Sequence, residues 1–189
     1  MQCSMNDNGS FELATRIIDL VVNGPRHSLI DLCCCHAEIT GRLGFTERKY
    51  IDILPRELRR SEEQEHFIQA DVLGDHEVFN RHWQVSMCLD GIEHLKKDQG
   101  IQLRDRMMEI SDICIIFTPS DAWMMEHETS DRYHNDPESH KSLWSGDDFP
   151  GWNTIVFPRW HEALGIGAFW SWYNKNVDME QDYARIVGD

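Results

Sequence analysis

Four aspartates, Asp31, Asp52, Asp71 and Asp90, punctuate the first half of the chain, and each ends or follows a short apolar run that reads as a strand. Acids at the carboxyl ends of parallel strands line the crevice in which open α/β sheets take their ligands. Asp31 and Asp52 are 21 residues apart, close to the spacing of ~20 at which a second-strand acid reaches ribose hydroxyls. Between them lies a turn of small residues, Cys33-Cys34-Cys35-His36-Ala37. Small side chains let a ligand approach the backbone, but glycine is the usual residue there and this turn has none. Each left-handed position it adopts then costs roughly 1–2 kcal/mol.

Two histidines are placed to act as a general base near neutral pH: His94 in DGIEHL, just past the fourth strand, and His140 in HKSLWSGDDF. For His94 a structural role in capping the loop is the equal alternative. The run Cys33 to His36 offers zinc-type ligands, but adjacent residues cannot all point at one tetrahedral centre and the chain has no C-x-x-C pair. No metal is therefore expected. A reactive thiolate at the start of the following helix is the remaining chemical reading of the cysteines, against inert small residues lining the turn.

The elements that must hold these residues alternate. Phe11 to Val22 has helical apolar spacing, with Ser10 as N-cap and Asn23-Gly24-Pro25 as the stop. Strands are expected at 29–32, 49–54, 66–70, 84–89 and 113–118. A short helix through Ile39 and Leu43 is expected to end at Gly44, and a longer one to span 97–110. Such alternation implies parallel pairing through right-handed crossovers. Residues 120–148 lose all apolar period and read as a loop covering the substrate, while 153–157 and 167–173 form a closing antiparallel hairpin. Trp170 and Trp172 are expected on an edge strand, covered by a helix or by the second subunit of a homodimer.

At 189 residues the chain reads as one domain over 1–189, its first nine residues outside the ordered core. Eighteen Lys and Arg against 33 Asp and Glu give a net charge of −15, which disfavours nucleic acid and anionic membranes as partners. No apolar run could span a bilayer and no secretion signal opens the chain, so a cytoplasmic protein with reduced thiols is expected.

Together these segments resemble the class I S-adenosylmethionine-dependent methyltransferases with a D-x-G-C-G-x-G turn. The turn aligns on Asp31 to Ala37, the ribose acid on Asp52, the adenine-side acid on Asp71 within QADVL, and the fourth-strand motif on CLDGIEHL. The resemblance runs over roughly residues 10 to 175. It implies a three-layer Rossmann-like methyltransferase sandwich, with a mostly parallel seven-stranded sheet and an antiparallel C-terminal hairpin strand. It further implies S-adenosylmethionine as cofactor, held by Asp31, Cys33, Cys35, Asp52, Asp71, Val72, Leu89 and Asp90, and a small-molecule acceptor methylated on oxygen or nitrogen. Cysteine or alanine in place of the glycines leaves a second reading open: a non-catalytic relative keeping the fold as a binding or regulatory module.

Overall fold

The structure, a computed structural model, describes residues 8–120, 139–161 and 166–176. Seven strands form one sheet: β1 (Ser28–Leu32), β2 (Glu47–Asp52), β3 (Phe67–Gln69), β4 (Trp83–Leu89), β5 (Ser111–Pro119), β6 (Asn153–His161) and β7 (Ile166–Asn174). Their order is β3-β2-β1-β4-β5-β7-β6. The first five are parallel, and β7 runs antiparallel to both β5 and β6. The strand order reverses between β1 and β4, so the carboxyl ends of those two strands mark the ligand crevice.

Continuous apolar strands need cover on both faces. On one face α1 (Asn8–Val21) packs Ile17 and Ile18 among Leu29, Val85, Ile115, Trp170 and Trp172. On the other, α2 (Lys97–Ile110) packs Leu103 and Met107 among Ile30, Cys88, Cys114 and Trp144. Helix α2 has the expected limits. Helix α1 starts two residues before Ser10, which lies fully buried within it and is not its cap.

Two expectations change. The helix after the first turn is a single 3-10 turn, Thr40–Arg42, closed by Gly44 at φ 72°, so this site has no helix N-terminus of useful length. The charged segment before β3 and the stretch before β4 are likewise 3-10 turns, Ser61–His66 and Glu77–Asn80. The second correction concerns Trp170 and Trp172. Strand β7 lies inside the sheet, with β6 at the edge, and both indoles are wholly buried against α1. The expected cover loop lies largely outside the described residues, which resume at Ser139.

Candidate functional site

At the strand-order reversal the residues after β1 and β4 meet. A Cβ on Gly91 would lie 2.5 Å from the Cβ of Cys33 and 3.1 Å from the Cys88 sulfur, so the two loops are in direct contact and only glycine fits between them. The turn takes up the left-handed backbone without glycine, with φ of 62° at Cys33, 48° at Cys35 and 50° at Ala37. Strain of this kind persists only where surroundings over-determine the backbone. They do so here through Ala37 N–H to Cys34 carbonyl (2.7 Å) and Cys34 N–H to Ile51 carbonyl (3.0 Å).

Asp52 anchors the same turn. Pairing of Leu32 with Ile51 sets the end of β2 beside it, and Cys35 N–H donates to Asp52 Oδ2 at 3.0 Å. The other oxygen accepts Leu54 N–H at 2.9 Å, and Arg56 Nε stands 3.4 Å from Oδ2. Ile53, which follows, is 55% exposed. This apolar side chain left in water next to Asp52 is not marked in the sequence, where it sits inside a strand-like run.

Asp31 is buried beneath the turn. Its Oδ2 accepts the Thr40 hydroxyl and its Oδ1 has no partner, and burial pushes its carboxyl up to about 8. Asp71 is exposed and accepts Leu73 N–H within its own turn at 2.9 Å. Val72 and Leu89 are buried in the two cores, one on each face of the sheet. Asp90 holds a left-handed φ of 58° and donates its N–H to Phe117 carbonyl, continuing the β4–β5 pairing by one residue.

Beyond Asp90 a second constellation forms. Ligand atoms of Glu93, His94 and His140 all lie within 4.8 Å of one another. Glu93 is 1% exposed; Oε2 accepts the Thr118 hydroxyl at 3.0 Å, and Oε1 has no hydrogen-bond partner. Burial first, then the neighbouring Asp90 carboxyl, holds its proton on well above the usual carboxylate range. His94 Nδ1 faces the Ser139 carbonyl at 3.2 Å, so Nδ1 carries the proton and Nε2 presents a lone pair. The His140 ring meets that of His94 edge-on at 5.0 Å.

Residues 139–144 reach this place because they are laced to the loop after β4. Lys141 and Ser142 N–H groups both donate to Glu93 carbonyl, and Ser142 Oγ donates to Leu95 carbonyl. Trp144 anchors the lacing, its indole N–H on Ser142 Oγ and its ring packed under Lys97. Glu93 and the two imidazoles offer three donor atoms of the kinds that bind a divalent transition ion, and such an ion would have to displace the Glu93 proton. The sequence expectation of no metal rested on the cysteines. The candidate donors come from two segments 46 residues apart, and of the three only His94 and His140 are expected from the sequence as bases.

No protein-family model matches the chain, and no protein of curated function does. Solved structures do match. N-methyltransferase NodS from Bradyrhizobium japonicum WM9, in complex with S-adenosyl-L-homocysteine, superposes with a TM-score of 0.63 at 11% identity, covering 92% of this chain and 91% of NodS. The fold is that of the class I methyltransferases. Magnesium protoporphyrin IX methyltransferase ChlM from Synechocystis PCC 6803, also with bound S-adenosylhomocysteine, gives 0.59 at 11% identity over 87% of this chain and 81% of ChlM. The small RNA methyltransferase HEN1 gives 0.60 at 14% identity over 90% of this chain, which spans only a quarter of HEN1's length (25%). The methyltransferase fold is thus one in which S-adenosylmethionine chemistry is established. In this chain the residues fit that cofactor at the backbone: the turn is left-handed at all three aligned positions, and a carboxylate closes β2.

Proposed function

We propose that the chain is an S-adenosylmethionine-dependent methyltransferase that methylates a hydroxyl of a small-molecule acceptor, aided by a divalent cation held by Glu93, His94 and His140. The observation that carries the reading is the convergence of those three side chains beside the loop contact between Cys33 and Gly91, where the cofactor turn meets the end of β4.

The cofactor brings a methyl group on a sulfonium, already electrophilic. The protein's part is to hold donor and acceptor in line and to exclude water. The turn backbone and Asp52 would hold the nucleoside end, and Ile53 and the segment after β3 would flank the base. A hydroxyl acceptor must lose its proton, and a bound cation makes that easier by lowering the hydroxyl's pKa. His94 Nε2 can serve as ligand or, with no ion present, as the proton acceptor. The −15 charge supports a small acceptor over a polyanion.

A second reading, an RNA acceptor, is favoured by one observation: HEN1, a small RNA methyltransferase, is among the structures that share the fold. Calorimetry with S-adenosylmethionine tests the reading first, since absence of heat up to millimolar cofactor would count heavily against any methyltransferase. Transfer of labelled methyl groups to a panel of polyols, sugars and short RNAs, with and without manganese, then separates the acceptors. Transfer to RNA alone would replace the small-molecule reading.

A further inference from the structure

The loop after β2 is fastened over the cofactor turn. Arg59 N–H donates to His36 carbonyl at 2.9 Å, and His36 Nδ1 pairs with Glu57 carbonyl at 2.8 Å. Leu58 is buried with Cys34, Ala37 and Tyr50, and Gln64 holds the same loop at both Arg56 carbonyl and Leu58 N–H. These contacts fix where Arg56 can reach. Its Nε lies 3.4 Å from Asp52 Oδ2, with the two side chains only 15% and 8% exposed. Both carboxylate oxygens of Asp52 already accept a main-chain N–H. A carboxylate has about four lone-pair sites, so a ribose diol and a guanidinium compete for those that remain.

We infer that Arg56 sets cofactor affinity by competing with the ribose hydroxyls for Asp52. It is a positioning residue, and it acts through the acid. This rests on the reading that the site takes S-adenosylmethionine. Neutralising the acid with a neighbouring cation makes it a poorer acceptor for hydroxyl donors and places a side chain that must move aside when the nucleoside enters.

The test is calorimetric binding of S-adenosylhomocysteine and of its 2′-deoxy analogue to wild-type protein, Arg56→Gln, Asp52→Asn and the double variant. Arg56→Gln is expected to bind S-adenosylhomocysteine about twofold to fivefold more tightly, the span of a partly exposed ion pair. The gain should be smaller for the 2′-deoxy analogue and absent when Asp52 is already asparagine. A loop that merely needs Arg56 for its fold would lose affinity for both ligands alike in Arg56→Gln, which would overturn the inference. Equal affinity in wild-type and Arg56→Gln would overturn it while leaving the proposed function standing. No binding by any of the four would overturn both. Arg56→Lys, which keeps the charge, should bind as the wild type does.

Discussion

The Thr40 hydroxyl donates to Asp31 Oδ2 across 2.5 Å, while Oδ1 of the same carboxyl is buried with no partner. One hydrogen bond is too little to keep a buried carboxylate charged, and burial raises its pKa from 3.8 to about 8. In the unfolded chain the group ionises near 4, so between about pH 4 and 8 the folded state holds a proton the unfolded state has lost. Wild-type stability should therefore fall as pH rises through that window. Asp31→Asn, which cannot ionise, should show a flatter profile and exceed the wild type at pH 8 by roughly 1–3 kcal/mol. Urea denaturation at pH 5 and pH 8 measures both; parallel profiles would refute the account.

The left-handed turn makes a second expectation. Ala37 holds φ 50° with its methyl group buried, where a β-carbon costs roughly 1–2 kcal/mol and glycine nothing. Glycine's larger unfolded-state entropy takes back roughly 0.4–1 kcal/mol. Losing the buried methyl takes back a further ~0.8 kcal/mol, so Ala37→Gly should leave stability within about 0.5 kcal/mol of wild type in equilibrium denaturation. Cys35→Gly, at φ 48° with a half-buried side chain, should keep more of the gain, about 0.5 kcal/mol. Lower stability in Cys35→Gly would mean that the turn relaxes its dihedrals without cost.

Apolar runs and acids were enough to read five parallel strands and a closing hairpin, because fully buried strands such as β1 leave little else to bury. They were less informative where segments are polar and short. Ile39 and Leu43 show the spacing of a helix, yet Gly41 and Gly44 lie among them and only one 3-10 turn forms. The spacing of Asp52 was enough to set it beside the turn, where Cys35 N–H reaches it. Nothing comparable placed Arg56, since an arginine in a charged run shows nothing of the carbonyls that steer it. His140 was seen as a base, but its company was invisible: only the lacing of 139–144 onto Glu93 carbonyl brings it to His94.

That company predicts a metal-binding phenotype. Calorimetric titration with manganese or zinc should give one site per chain. Glu93→Gln keeps the shape of the side chain and its bond to Thr118 but has no carboxyl proton to give up and cannot become an anionic ligand. It should weaken binding at least tenfold, as should His140→Ala. Equal binding by wild type and both variants would place the ion elsewhere.

Gly100 tests whether the anchor of that segment matters. It lies inside α2, where alanine would ordinarily be favoured by about 1 kcal/mol. A Cβ there would sit 2.2 Å from Trp144 Cζ2, 2.8 Å from Cη2 and 3.1 Å from Ile92 Cγ1. The indole cannot simply retreat, since its N–H is bonded to Ser142 Oγ and Lys97 covers its ring at 3.8 Å. Overlap should therefore outweigh propensity, and Gly100→Ala should lose about 1–3 kcal/mol. Because Trp144 fixes Ser142, and Ser142 and Lys141 hold Glu93 carbonyl, the same change should loosen His140 from His94 and lower manganese affinity. Gln102→Ala, two residues on and exposed, has no such contact and should leave both stability and metal affinity within the range of ordinary surface changes, about 0.5 kcal/mol. Denaturation and metal titration of the two variants side by side decide it: Gly100→Ala behaving like Gln102→Ala would show that Trp144 does not hold the site together.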